Sequence, residues 1–389
     1  MDKKGLKSRL LKALTLVLLL ALIQFFFNPL GLGPEPASVL GSAFFTTTAK
    51  NMTGVELLID GKEAFDAIYK CLDSARNSIH IQTYIWKDDE TGRAVAQRLK
   101  KGADRGAGVV VNKDLLGTAF ELGDMIGGRP SPVFTSAGLR GYPGIEVNTK
   151  LFAHYDHSKY FILDHETLIF GGMNIADEYH FEWHDYMVLI RGKERVAAFE
   201  DRVLRGKPWP AGLPAVVAVN DGYATEIRTA LREMIDHARE RVVVQHAYFS
   251  DNIILEALLR AAKRGVRVDV ILPRDPDTHG AANKVTINRL LASEHRDRIR
   301  VFLYPEMSHA KVLLVDGEMA GVGSANLTPR SMLTSKELTV FVHGNPGEPF
   351  LQRLRARMDA DLAKSTEVRE SFQLSMKDRI MAVAGKYVW

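Results

Sequence analysis

Apolar positions form one long block near the N-terminus and then shorter periodic runs. Ala13 to Phe27 is broken only by Thr15 and Gln24, and it follows Lys3, Lys4, Lys7, Arg9 and Lys12 against one acid, Asp2. As a helix this run of 15 residues rises about 22 Å, short of a hydrocarbon core of about 30 Å. Leu10, Leu11, Leu30 and Leu32 lengthen it, while Pro29 and Gly31 weaken its far end. The run reads as an uncleaved signal anchor, or alternatively as a cleaved signal peptide. Basic residues ahead of it keep the N-terminus in the cytoplasm. The expectation is therefore a single N-terminal segment in the inner or cell membrane, with the rest of the chain on the extracytoplasmic (periplasmic) side. Residues 28–54, with Pro29, Pro34, Pro36 and a Thr46–Thr48 run, read as a linker.

The later runs repeat one plan. Ser78–Trp86 predicts a strand, Thr91–Asp104 a helix, and Gly108–Val111 a second strand after Arg105-Gly106. Arg241–Phe249, Ile254–Lys263 and Val266–Leu272 repeat the series around Arg264-Gly265. A βαβ unit that occurs twice predicts two α/β lobes, 55–210 and 211–389, each a mixed or mostly parallel sheet flanked by helices. Phe372, Met376, Ile380, Val383 and Tyr387 recur at helical spacing and predict a C-terminal helix in the second lobe.

Composition narrows the classes. Hydrophobic residues are 46% and charged residues 25%, which excludes a disordered, collagenous or polytopic membrane chain. The one cysteine, Cys71, excludes an internal disulfide and any multi-cysteine zinc site, and its helical register with Phe65, Ile68 and Leu72 predicts a buried, inert thiol. Net charge is +4, too weak by itself to point to nucleic acid.

The repeat also carries chemistry. His157, Lys159, Asp164, Gly171, Gly172 and Asn174 are matched by His309, Lys311, Asp316, Gly323, Ser324 and Asn326 at the same offsets. An acid stands 28 residues after each histidine (185 − 157 and 337 − 309), namely Asp185 and Glu337. One H-x-K-x4-D string is a weak pattern, but two, each with its G-[GS]-x-N, are a strong one. Strand periodicity puts His157, Lys159 and Phe161 on one face, and His309, Lys311 and Leu313 likewise. An approximate two-fold axis relating the halves would bring both sets to one site between the lobes. Two imidazoles, two ammonium groups and two amides suit a phosphodiester. The cations and amides hold the oxygens, one imidazole attacks phosphorus, and the other protonates the leaving alcohol. Asp185 and Glu337 are candidates to fix the ring tautomers. No cofactor is called for, and no metal: the chain has neither H-E-x-x-H nor another cluster with ligand spacing.

These residues resemble the phospholipase D superfamily, marked by two H-x-K-x4-D motifs, from about residue 55 to about residue 365. Within it the chain is most similar to bacterial cardiolipin synthases, on the strings GGMNIADEY (171–179), HDYMVLIRG (184–192) and GVGSANLTPRS (321–331). The resemblance implies two phospholipase D-type lobes and a phosphohistidine mechanism. It makes His157 the nucleophile and His309 the general acid and base. Lys159, Lys311, Asn174, Asn326, Gly172 and Ser324 fall at the substrate, Asp185 and Glu337 orient the histidines, and Asp164 and Asp316 complete the motifs, chiefly through structural hydrogen bonds. The implied reaction is phosphatidyl transfer between two phosphatidylglycerols, giving cardiolipin and glycerol. A hydrolytic phospholipase D is the alternative and a nuclease a more remote one. The expected partners are a phospholipid substrate and a membrane, with no nucleic acid and a monomeric chain. Asp156 and Ser158 depart from the Asn and Arg more usual beside the first histidine. Leu116–Asn148, with many Gly and Pro, reads as a substrate-specific loop. His154, His180 and His184 each read as a loop or pocket-wall residue rather than a catalyst.

Overall fold

The computed structural model describes residues 35–46, 52–114, 117, 138–150, 155–210, 213, 215–221 and 224–387. The first sheet is built from β1 (Val55–Ile59), β2 (Ser78–Thr83), β3 (Gly108–Asp114), β4 (Ile145–Lys150), β5 (Tyr160–Leu163), β6 (Thr167–Gly171) and β7 (Tyr186–Arg191), in the order β1-β7-β6-β5-β2-β3-β4. The second contains β8 (Ala215–Asp221), β9 (Arg241–His246), β10 (Arg267–Pro273), β11 (Ile299–Tyr304), β12 (Lys311–Val315), β13 (Met319–Gly323), β14 (Lys336–His343) and β15 (Thr366–Val368), in the order β15-β11-β10-β9-β12-β13-β14-β8. Read from β8, the second order repeats the first and adds β15 at the end. Both sheets are mixed. β2, β3 and β4 run parallel, as do β9, β10 and β11, and the other pairings are antiparallel.

Strand alternation sets the layers. Tyr160, Ile162, Leu168, Phe170 and Val188 of one sheet share a core with Val312, Leu314, Val322, Leu338 and Val340 of the other. The intervening residues turn outward: Phe161, Leu163, Ile169 and Leu189 meet the helices Asp60–Ser74 and Glu90–Asp104. Leu313, Val315 and Phe341 meet the helices Glu226–His237, Asn252–Lys263 and Gly280–Leu291. The two sheets thus pack face to face between outer helical layers. Strands covered on both faces read as nearly unbroken apolar strings such as Tyr160–Leu163 and Lys311–Val315.

The repeated Arg-Gly pair has a mechanical reason. Gly106 and Gly265 leave their helices with φ of 94° and 91°, the left-handed conformation that glycine adopts without a Cβ clash. The preceding Arg105 donates to Leu72 O at 2.8 Å, and Arg264 to Ile235 O at 2.8 Å. Each arginine therefore satisfies a carbonyl at the end of the helix before it.

The chain departs from expectation in three places. First, no helix among the described residues is long and apolar enough to cross a membrane. That finding overturns the single N-terminal span and the extracytoplasmic placement drawn from it. The run at 13–27, itself short of a hydrocarbon core, lies outside the described residues. Second, Ile145–Lys150 is not loop but the edge strand β4, parallel to β3. Its string IEVNTK alternates apolar and polar only over 145–148, with two apolar residues, too short a signal to announce a strand, and much of the segment before it lies outside the described residues. Third, β5 and β12 begin after the motif histidines, so His157 and His309 sit on the approaches to their strands. The C-terminal helix forms as Met376–Tyr387. Cys71 is buried.

Asp164 and Asp316 close the hairpins that follow β5 and β12. Both have left-handed φ, 51° and 54°, and each is followed by a second residue of that kind, His165 at 56° and Gly317 at 74°. Two consecutive positive φ values are the signature of a tight hairpin turn matching strand twist. The Asp164 carboxylate accepts from the amides of Arg76 (2.9 Å), Asn77 (2.7 Å) and Ser78 (2.9 Å). Asp316 accepts from Arg239 (2.9 Å), Glu240 (2.9 Å) and Arg241 (2.8 Å). Each carboxylate thus ties the start of β2 or β9 to the far end of its hairpin. Asp164→Ala and Asp316→Ala are each expected to lower stability by about 1–3 kcal/mol, because three amides lose a charged acceptor. Urea unfolding midpoints would check this, and unchanged midpoints would refute it.

Candidate active site

The two motifs meet where the sheets pack, at the carboxyl ends of the parallel strands. Tyr160 pairs with Gln82 at the end of β2, and Lys311 with His246 at the end of β9. Outside those ends the two lobes exchange backbone hydrogen bonds. His157 N–H donates to Lys336 O at 2.9 Å, and Lys336 N–H donates to Tyr155 O at 2.7 Å. Across the axis, His309 N–H donates to His184 O at 2.7 Å, and His184 N–H donates to Met307 O at 3.1 Å. Each histidine is therefore stitched to the residue that immediately precedes the other lobe's acid.

The side chains follow that register. His157 Nδ1 donates to Glu337 Oε1 at 3.0 Å, and His309 Nδ1 donates to Asp185 Oδ2 at 2.7 Å. The pairing is crossed, the acid 28 residues after one histidine serving the other. A carboxylate on Nδ1 fixes the tautomer and aims Nε2 away from it. Glu337 is held in turn by the hydroxyls of Ser324 (2.6 Å) and Ser331 (2.7 Å). Asp185 occupies the corresponding space beside Gly172, where a Cβ would lie 2.5 Å from both carboxylate oxygens. Gly172 and Ser324, expected at the substrate, thus stand against the orienting acids.

Lys159 and Lys311 are both buried, and each donates to the carbonyl of its own histidine, at 2.5 Å for Lys159. Lys311 Nζ also lies 2.7 Å and 3.0 Å from the two ring nitrogens of His309. Asn174 is buried, with its Oδ1 accepting from the Ile85 N–H at 3.0 Å and its side chain also hydrogen-bonded to Tyr179. Asn326 is buried with Oδ1 lacking a partner among the described residues.

Burial dominates the titration of these groups. It pushes Lys159 down to about 7 and Lys311 to about 8, against the pull of Glu337 and Asp185. It raises Asp185 to about 6 and lowers His157 to about 4. His309 is held well below its ordinary value by burial and then by Lys311 and Lys159. The site therefore holds neutral imidazoles beside ammonium groups that are only weakly protonated, a state that a bound anion would relieve.

Several contributors escaped the sequence reading. Tyr84 meets the His157 ring edge-on at 4.9 Å, Tyr155 stacks with it at 5.7 Å, and the Arg330 guanidinium lies 4.2 Å over Tyr155. Around His309 stand Tyr179 at 5.1 Å, Trp183 at 5.7 Å and Tyr248 at 6.4 Å. These aromatics break the repeat, so no second copy marked them. Ser331 lay within a quoted string but had no counterpart to give it a role. Asp156 and Ser158, the departures beside His157, bond to one another, the Ser158 N–H donating to Asp156 Oδ1 at 3.1 Å.

The fold and the paired His–Lys–acid site define an enzyme of the phospholipase D superfamily. The chain belongs to the family described as "Cardiolipin synthase, PLD-like domain", which matches residues 68–205 and 231–362. It is 30% identical over 350 residues to the cardiolipin synthase of Listeria innocua, covering 81% of this chain and 70% of that protein. It is 30% identical over 368 residues to cardiolipin synthase A of Pseudomonas aeruginosa, covering 83% and 71%. In fold it is similar to the phosphatidylserine synthase of Haemophilus influenzae, at a TM-score of 0.66 and 14% identity, over 85% of this chain and 91% of that one. Polyphosphate kinase from Porphyromonas gingivalis superimposes at a TM-score of 0.57 and 16% identity, over 91% and 56%.

The buried lysines generate a pH test. An anion that binds between them raises their proton affinity, so its own binding weakens as pH rises through about 7 to 8. Dimethyl phosphate, a monoanion throughout this range, is expected to raise the melting temperature below pH 7 and to lose that effect by about pH 9.5. Lys159→Met should abolish the increment at every pH. A pH-independent increment, or one unchanged by Lys159→Met, would refute the anion site.

Proposed function

We propose that the chain is a phosphatidyltransferase of the cardiolipin synthase kind, joining two phosphatidylglycerols and releasing glycerol. The observation that carries this reading is the crossed pairing of two buried histidines with Glu337 and Asp185 beside two buried lysines, in a chain about 30% identical to cardiolipin synthases. Phosphatidylglycerol and a lipid acceptor are inferred from those relatives, and the chemical roles from the site.

His157 is the nucleophile in this reading. Its ring is neutral near pH 7, Glu337 occupies Nδ1, and Nε2 has no hydrogen bond among the described residues. Nε2 attacks the donor phosphorus in line with the glycerol oxygen, and Glu337 stabilises the imidazolium that forms. Lys159 and Lys311 hold the non-bridging oxygens, where charge gathers in the transition state. His309 gives a proton to the departing glycerol oxygen. Burial first, and then the two ammonium groups, hold this ring deprotonated; the anionic substrate offsets the ammonium groups so that the ring takes up a proton, and the Asp185 carboxylate stabilises the protonated form. The second phosphatidylglycerol then presents a hydroxyl, His309 takes its proton, and the alkoxide displaces His157. The P–N bond breaks, cardiolipin leaves, and both histidines return to their starting state. Among the described residues no cluster of three or more His, Cys, Asp or Glu could hold a metal ion, and the lysines supply the positive charge in this scheme.

The test is a product assay on isotope-labelled phosphatidylglycerol in detergent micelles. Cardiolipin with free glycerol is expected from the wild type. His157→Ala and His309→Ala should each reduce turnover by roughly a thousandfold or more. Denaturing quench at alkaline pH, where a P–N bond survives, should trap a phosphatidyl group on the wild type, and the phosphoryl part of an activated donor on His309→Ala, but neither on His157→Ala. Phosphatidic acid without cardiolipin would replace this reading with a hydrolase.

A further inference from the structure

Behind His309, at the junction of the lobes, lies a closed ionic cluster that the scheme above does not use. His184 and Asp361 are 4% and 2% exposed. His184 Nδ1 donates to Asp60 Oδ1 at 2.5 Å and Nε2 to Asp361 Oδ2 at 3.0 Å. Arg357 joins the same carboxylates, Nη1 to Asp60 Oδ2 at 2.8 Å and Nε to Asp361 Oδ1 at 2.8 Å. Gln245 Nε2 donates to Asp361 Oδ2 at 3.0 Å, and the Tyr186 hydroxyl lies 3.2 Å from His184 Nε2. The Tyr304 ring packs at 5.5 Å, with Lys364 on its hydroxyl and Glu306 on Lys364. Both ring nitrogens of His184 thus face carboxylates, which favours the imidazolium, although Arg357 Nη2 also lies 3.0 Å from Nδ1. Burial alone would depress this ring, but the hydrogen bonds to Asp361 and Asp60 outweigh it and hold it above its ordinary value. Two cations and two carboxylates then cancel, so losing the proton would leave an uncompensated buried charge.

The cluster is coupled to the site through the backbone. The His184 carbonyl accepts the His309 N–H, and the next residue, Asp185, holds the His309 ring. Asp60 and His184 come from the first lobe, Arg357 and Asp361 from the helix Pro349–Lys364 of the second. The counterpart of His184 across the axis is Lys336, whose only ion pair among the described residues is a long 3.7 Å contact to Asp156. The two histidines are therefore supported unequally, and the stronger support lies behind His309.

We propose that His184, clamped between Asp60 and Asp361, is a positioning residue that holds Asp185 and the backbone of His309 where His309 can pass its proton to the leaving alcohol. This inference rests on the acid–base role given to His309 above, but not on the identity of the lipid. Without the clamp the attack by His157 continues and proton delivery fails. The loss therefore grows with the basicity of the leaving group.

The experiment measures kcat/KM for a series of aryl phosphodiesters whose phenols span a range of pKa, with wild type, His184→Gln and Asp361→Asn. The wild type should depend weakly on leaving-group pKa. Both variants should depend on it steeply, losing about threefold or less with 4-nitrophenol and on the order of 30- to 100-fold with unsubstituted phenol. His184→Lys, which retains the cation, should recover part of the loss. A loss equal across the series would mark a merely structural role and overturn the inference, as would wild-type behaviour in both variants. Turnover of the aryl series without any action on phosphatidylglycerol would sink the lipid assignment alone. No turnover of any diester by the wild type would overturn both.

Discussion

Two amide-to-carbonyl hydrogen bonds between the lobes decide how this site is assembled. Once His157 N–H is fixed to Lys336 O and His309 N–H to His184 O, the next residue on each partner strand falls beside the opposite imidazole. Those next residues are Glu337 and Asp185. The crossed tautomer control is thus a consequence of backbone register, and it requires both sheets to be present and packed. The shared core between the sheets, from Tyr160 and Phe170 to Val312 and Val340, is what holds that register.

Electrostatics explains why the arrangement is so enclosed. Four ionisable groups of the repeat, two ammonium and two carboxyl, are withdrawn from water together with two imidazoles. Isolated burial of any one would be prohibitive. Buried as a set, their charges compensate, and the remaining strain falls on the lysines, which burial drives down towards neutral pH. In the proposed scheme an anion would meet charge already positioned and sheltered from water, the condition for electrostatic stabilisation of a phosphoryl transition state.

Much of this was legible in the chain because it is written twice. The βαβ periodicity located strands and helices to within a few residues, and equal offsets singled out the histidines, lysines, asparagines and acids. Duplication could not reveal which acid served which ring, since crossed and uncrossed pairings give identical offsets. It was also blind to whatever differs between halves: the aromatic collars, Arg330 over Tyr155, and the His184 cluster facing a weakly paired Lys336. Gly172 and Ser324 recur in the repeat, and the sequence does not show that they stand against Asp185 and Glu337. The mixed string of β4 hid an edge strand, and a run of apolar residues suggested a membrane span that the described helices do not contain.

The crossed pairing also bears on how such a chain can have arisen and how it can be rearranged. Neither lobe alone owns a complete imidazole–carboxylate pair, since each supplies the imidazole of one and the carboxylate of the other. An ancestral single half would have gained function only by meeting a copy of itself, and in that homodimer both pairs would form at once. Fusion of the halves adds no group to the chemistry. In one chain the two copies can diverge at matched positions while remaining paired, as Asp185 and Glu337, and Gly172 and Ser324, have done.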